Sequence, residues 1–466
     1  MNQDLKNYQQ KSNHTLAFAI MSVIGVFMFM VPLPREDGAF NIPLGFVIEW
    51  LGLGLNSIEV NGYGLLFLLA LIVITISFIG SVLAYALRPA FIMESEMLKN
   101  LFLCHPVYFI SKLIAVVACW MVFLGVGPDW LIGEWVGAWM MMDLIAGGGS
   151  GSNLMSIFII LGIAIPILTE SGVMEFFGIL IKKIVRLLFT LPGRSSIDLI
   201  SSWFSSSAAS VIITRDQHER GFYTDREAAA ICVNFTLVSL PFTFVVANAV
   251  GLAGYFFQFY LVICIASILL AVIMPRIWPL RGIRDDYMPE VGKQIVEEVP
   301  EGTSMFGWAV MIASKRASEN TPGSIIKSGL SNWLNIFMDL IPVILAWGTV
   351  ALIINDNTPV FDWLSLPFAH YLNLLQVPYA FEYAPATIVG FVDMYVPALI
   401  LGTEAPFKTR FVLGTLSIVQ IIYMAETGIL ILKSKIPLNI GHLAILFIMR
   451  TVLSLPVIVV LTHLLF

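Results

Sequence analysis

Charge is what this sequence has least of: only 12% of its 466 residues are Asp, Glu, Lys or Arg, about half the share found in soluble globular proteins. With 58% hydrophobic residues and a mean hydropathy of +0.88, the composition excludes a soluble globular domain. Cysteine is equally sparse. Cys104, Cys119, Cys232 and Cys264 stand singly in or beside apolar stretches, with no C-x-x-C pair and no zinc or disulfide spacing, so they read as small hydrophobes. H-E-x-x-H and G-x-x-x-x-G-K-[ST] are both missing, which leaves neither a zinc protease nor an intrinsic ATP motor supported. Gly148, Gly149, Ser150 and Gly151 match the short G-x-S-G pattern of intramembrane serine proteases. Four residues in a glycine run are unspecific, and His442 or His463 would have to serve as the base. We therefore expect no enzyme, no cofactor and no metal. The net charge of −6 is small for this length and points to no nucleic-acid partner. Alternation with period two over about 10 residues, the signature of a transmembrane barrel, is missing too.

What is present is a series of apolar runs, each close to the roughly 20 residues that cross a bilayer as a helix. They fall near 15–33, 63–87, 107–126, 152–172, 228–250, 255–275, 331–354, 411–432 and 440–465. The expected fold is an all-α polytopic membrane protein with about nine transmembrane helices. Its first run is too long for a signal h-region and reads as a span. Lys6 and Lys11 place the amino terminus inside, and Arg276, Arg281 and Arg284 require the run 255–275 to end inside. The serine-rich stretch 197–213 then cannot cross, and fits a re-entrant hairpin of two short half-helices. Lys433 and Lys435 impose the same on 385–401, which enters from outside. Lys408 and Arg410 are external on this reading, against the positive-inside rule.

An internal repeat accompanies the two hairpins. SNLMSIF (Ser152 to Phe158) recurs as SNWLNIF (Ser331 to Phe337), followed by Pro166 and Gly172 in one case and Pro342 and Gly348 in the other. Each half continues with an amphipathic or apolar segment, a short hairpin, a polar loop opening on Thr214 or Thr403, and two spans. The chain thus divides into a three-helix membrane region (1–149), a first repeat (150–278), a charged cytoplasmic linker (279–328) and a second repeat (329–466). The halves run parallel in sequence while their charges give opposite orientations. Such an inverted-topology repeat with interrupted helices points to a binding site near the midplane.

From Gly193 to Phe235 the sequence resembles the YjiH-like membrane proteins, which carry the nucleoside-recognition or Gate domain. The resemblance lies in Gly193-Arg194-Ser195, Asp198, Thr214, His218, Gly221 to Thr224 and Arg226 to Ala228. Gate domains also occur in spore maturation proteins A and B, the ferrous-iron transporter B and concentrative nucleoside transporters. The resemblance implies a transporter-like fold of two Gate repeats, and the domain name does not itself establish a nucleoside substrate.

Polar residues in the apolar runs are the candidate site. Glu170 follows Pro166 in an interrupted helix, where an acid and freed carbonyls suit a proton or cation; the other reading is a helix end at the interface. Ser201, Ser202, Ser205 and Ser206 would turn hydroxyls and half-helix amides toward a polar solute, or simply allow tight helix packing. Asp393 and Tyr395 sit in the second hairpin between Pro385 and Pro397, and Asp393 is the preferred single residue. Gln420, Tyr423, Glu426 and Thr427 recur at helical spacing on the next span, as Asn234, Thr236 and Ser239 do in the first half, facing the hairpins or acting as polar glue. Substrate contacts are assigned to Ser201, Ser202, Ser205, Ser206, Asn234, Asp393, Tyr395, Gln420 and Tyr423, and ion coupling to Glu170, Asp393 and Glu426. The charges from Arg215 to Glu227 read as an interfacial salt-bridge network in preference to a gate.

The expected function is that of a secondary transporter or facilitator of a small polar solute, of nucleoside, amino acid or dipeptide type. A proton or sodium ion would couple it, in the lipid of a bacterial inner membrane, and a homo-oligomer stays open. The rival expectation is a non-transporting scaffold or sensor that engages cytoplasmic proteins through 279–330.

Overall fold

The computed structural model describes residues 12–31, 33–34, 40–41, 43–60, 63–104, 106–133, 137–138, 142, 154–193, 195–204, 207–235, 238, 240–289 and 304–466. Lys6, Lys11, Gly148 to Asn153, Arg194, Ser205, Ser206, Thr236, Ser239 and linker residues 290–303 lie outside the described residues.

Among the described residues the chain is all-α apart from two minimal β-ribbons, Leu33–Pro34 with Phe40–Asn41 and Glu59–Val60 with Tyr63–Gly64. The amino-terminal region holds α1 (Ser12–Met30), α2 (Pro43–Asn56), α3 (Leu65–Ala86) and α4 (Pro106–Leu124). Next come α5 (Leu154–Thr169), α6 (Val173–Phe189), the short pair α7 (Ser195–Phe204) and α8 (Ser207–Glu219), then α9 (Asp225–Asn234), α10 (Leu240–Ala249) and α11 (Phe256–Ile273). After α12 (Met305–Glu319) the order recurs. Helix α13 (Pro322–Asn335) runs through a π-turn at Ile336–Leu340 into α14 (Ile341–Asn357), followed by α15 (Val360–Leu374). The short pair is now α16 (Ala386–Val389) and α17 (Val396–Leu401). The interrupted helix is α18 (Phe407–Val419) with a π-turn at Met424–Gly428 and α19 (Ile429–Leu432), and the last helix is α20 (Ile440–Leu465).

Among the described residues, four helical stretches are long and apolar enough to cross a membrane: Leu65–Ala86, Ala253–Gly282, Gly323–Asn357 and Ile440–Leu465. Their outer faces are greasy. On α3, Ile72, Ile76 and Ile79 are exposed on one face while Ile74, Ser77 and Ser81 are buried on the other. Leu16, Ile20, Val23 and Phe27 do the same on α1. Apolar stripes of this extent in contact with water would drive aggregation, so lipid is their solvent. This is a multi-pass membrane protein. Helix α18 is buried on every side from Phe411 to Val419, as a helix apolar all round must be, and packs against α20 and α11.

Two expected spans are not continuous helices. The run 228–250 splits into α9 and α10, and Pro241 falls in the first turn of α10, where its missing amide costs no intrahelical bond. The run 411–432 splits after Val419, where Ile421 adopts a φ of 65°. That conformation is a genuine outlier for a β-branched residue and stores about 1–3 kcal/mol. The repeat also departs from the sequence match in detail. Gly172 has a φ of 89° and turns the chain between α5 and α6, whereas Gly348 lies inside α14, since the polar turn Glu170-Ser171 has no counterpart there. Helix α13 begins at Pro322, within the segment expected to be linker. The segment 34–62, between the first two expected spans, carries α2.

Buried charge ties the amino-terminal region to the second repeat. Lys112 of α4 is fully buried and its Nζ lies 2.7 Å from Asp339 Oδ1 in the first π-turn. The same ammonium donates to Leu101 O at 3.0 Å. Ser77 donates to Met338 O of that turn, and Trp347 Nε1 to Ser111 Oγ at 3.1 Å.

Candidate functional site

The second hairpin ends in a tip at 390–395, between α16 and α17. Asp393 is buried there, and its Oδ1 accepts from the Tyr395 amide at 2.8 Å. This short-range bond satisfies an amide just before α17, the usual use of Asp at a helix start. The tip is docked main chain to main chain on the second helix break. Phe391 O accepts from Met424 N at 2.9 Å and Val392 O from Ala425 N at 3.0 Å. Gln420, the residue that follows α18, donates from Nε2 to Thr387 O and to Thr451 Oγ1, each at 2.8 Å. Its Oε1 is buried with no hydrogen-bond partner among the described residues and lies so close to Gly390 that a Cβ there would collide with it. Tyr395 packs edge-on against Phe242 of α10, with ring centroids 6.3 Å apart. The second hairpin thus touches the first repeat, while α8 of the first hairpin packs against the π-turn 424–428 and α19.

The two breaks meet on one side chain. Arg450 of α20 is fully buried. Its Nη1 donates to Val233 O and to Asn234 Oδ1, both at 2.9 Å, at the end of α9. Its Nε and Nη2 donate to Val419 O, at 3.1 and 2.7 Å, at the end of α18. Helix ends leave four carbonyls without intrahelical partners. Here Arg450 takes Val233 O and Val419 O, Tyr423 Oη shares its proton between Ser417 O and Ile418 O at 2.9 Å each, and Asn234 Nδ2 donates to Ala230 O at 2.8 Å. The result is a polar seam of half-helix ends, amides and one cation, enclosed by apolar helices. A cavity of about 420 Å³ reaches Asn234 from the side of α6 and α11. Phe177, Ile181, Leu199 and Tyr260 line it, so it suits hydrocarbon better than a polar solute.

Residues 152–254 match the Gate family model, described as nucleoside recognition. An uncharacterized protein of Alkalihalophilus pseudofirmus is 38% identical over 456 residues, covering 98% of this chain and 96% of that one. The chain belongs to that protein's family. Among solved structures, CNTnw in an inward-facing substrate-bound state is similar over 97% of this chain and 98% of its own, at 15% identity and a TM-score of 0.43. A CNTnw variant in the intermediate 3 state is similar over 96% and 99%, at 15% identity and a TM-score of 0.42.

In this family member the Gate match runs from α5 to α10 and includes the first hairpin pair and the first break, in agreement with the resemblance at Gly193 to Phe235. Asp393 and Tyr395 lie on the hairpin tip docked at the second break, Gln420 and Tyr423 flank that break, and Asn234 reaches it through Arg450. Asn234 and Tyr423 already hold helix-end carbonyls. Ser201 and Ser202 fall on α7, and Glu426 in the π-turn 424–428. Glu170 is engaged elsewhere. Its carboxylate accepts from Arg316 Nη2 of α12 at 2.8 Å, and its carbonyl from Asn320 at 2.9 Å. Burial pushes the neighbouring Glu175 carboxyl above the usual carboxylate range, with Arg316 opposing the shift. The charges at the end of α8 and just after it pair among themselves and with Asp285: Arg220 with Asp216 at 2.9 Å, His218 with Asp225 at 2.8 Å and Arg226 with Asp285 at 2.6 Å. Sequence reasoning missed Arg450, although a signal was there. It is the single Lys, Arg, Asp or Glu in an apolar stretch of 26 residues, and intramembrane charges are functional by default. Lys112 and Asp339 went unremarked for the same reason.

Proposed function

We propose that this chain carries a small polar solute across the membrane, at the seam where the tip of the second hairpin meets the two helix breaks. One observation carries the reading. Two interrupted helices, one from each repeat, end on a single buried side chain beside a hairpin tip that holds a buried carboxylate. Irregular backbone at membrane depth is tolerated where it is buried in protein or lines a water-filled path, and interrupted helices in corresponding positions of two repeats mark transporter binding sites. The Gate description favours nucleosides over amino acids and dipeptides. Asp393 and the buried Gln420 Oε1 supply acceptors for hydroxyl and amine donors of such a solute. Asp393 is also the coupling group for a proton, in the inner membrane of a bacterium. The scaffold reading gains nothing from α12, because that helix is engaged within the chain, packing on α1 and α6.

Purified protein in proteoliposomes should take up labelled uridine or adenosine, with competition by unlabelled nucleosides and none by dipeptides. A full panel of nucleosides, amino acids and dipeptides without flux would sink the transport reading and leave the scaffold. The opposed orientation of the repeats has its own test. In a chain with its four cysteines replaced, Gln217→Cys and Pro406→Cys should react with an impermeant maleimide from opposite faces of the membrane. Labelling of both from one face would end the inverted repeat.

A further inference from the structure

Helices α9 and α18 end at the crossing of the two repeats, and each aims a carbonyl of its last turn at the same side chain. A helix C-terminus carries about half a negative charge, so two of them form an acceptor cluster worth about one electron charge. In transporters built on interrupted helices, half-helix C-terminal ends and freed carbonyls are the groups that hold a coupling sodium ion. Here the guanidinium of Arg450 fills the cluster, through four hydrogen bonds to Val233 O, Asn234 Oδ1 and Val419 O. None of those four bonds goes to a carboxylate. The charge of an arginine is permanent, and a cation at this depth needs compensation. The two helix ends are what supply it.

We propose that Arg450 is a tethered replacement for a coupling sodium ion at the junction of the two breaks, so that the half-helix ends are held together, and solute moves, without sodium. The part about solute movement rests on the transport reading; the part about the junction does not.

The test is the thermal midpoint of the purified full chain in sodium chloride and in potassium chloride at equal ionic strength, because an ion bound only by the native state raises it. The parent is expected to melt alike in both salts, and so is Arg450→Lys, which keeps a cation. Arg450→Gln keeps donors but leaves the cluster uncompensated, and is expected to melt lower in potassium and to be raised by a few degrees in sodium. A parent stabilised by sodium over potassium would overturn the proposal, as would a folded Arg450→Gln indifferent to sodium. If neither variant folds, the parent comparison decides alone. These are equilibrium readings on purified protein, so a chain that shows no flux can fail the transport reading and still pass or fail this one.

Discussion

Arg450→Met will lower the stability of the folded protein by several kcal/mol. Three buried acceptors, Val233 O, Val419 O and Asn234 Oδ1, lose their donor together, and each buried group left unsatisfied costs about 1–3 kcal/mol. Relief from burying a guanidinium works in the opposite direction. Replacing a whole buried ion pair by apolar residues is often neutral, whereas removing one partner costs about 3–5 kcal/mol. Here the carbonyls cannot be removed, since they belong to the backbone, so the second case applies. The thermal midpoint in detergent, with monodispersity by gel filtration, is the measurement. A methionine variant that melts with the parent would show that the two helix ends find other partners, and that Arg450 does not hold the breaks.

Asp393→Asn should leave insertion intact and abolish most of the transport. Asparagine keeps an acceptor for the Tyr395 amide, so the hairpin tip loses at most about 1 kcal/mol, the scale of a helix cap. What it removes is charge. If the carboxylate takes up the coupling proton, uptake falls by at least about tenfold, equivalent to about 1.4 kcal/mol in the barrier, or persists without its dependence on a pH gradient. The proteoliposome rate with and without an imposed gradient decides. Unchanged rate with unchanged gradient dependence would reduce Asp393 to an anchor for the tip and move the coupling role to Glu426, since Glu170 is already bound to Arg316.

Both predictions concern backbone that is irregular by design of the sequence. Ile421 holds its left-handed conformation because the residues on either side are tied down. Gln420 is pinned to the hairpin and to Thr451, and Tyr423 to the end of α18. Strain of this kind persists where the surroundings over-determine it, which is common where a protein binds or switches.

Composition and periodicity alone determined that this chain is helical and lives in lipid, because apolar runs near the length of a bilayer admit no other solvent. They also placed polar residues in the two regions that are breaks in the structure, and the match of Ser152 to Phe158 with Ser331 to Phe337 falls at α5 and at the end of α13, each ahead of a short helix pair. Only the tertiary structure decided which polar residues lie near one another. Helical spacing puts Asn234 and Gln420 on their own helices, but carries no information about contacts between Arg450 and Val419, 31 positions apart, or Arg450 and Val233, 217 positions apart. Whether a run of apolar residues stays helical was likewise beyond the sequence. Runs 228–250 and 411–432 look like spans by hydropathy, and they break because the carbonyls freed at each break find donors on another element. A hydropathy window weighs each residue against lipid, while the cost of an open backbone group depends on a partner that only the folded chain brings within reach.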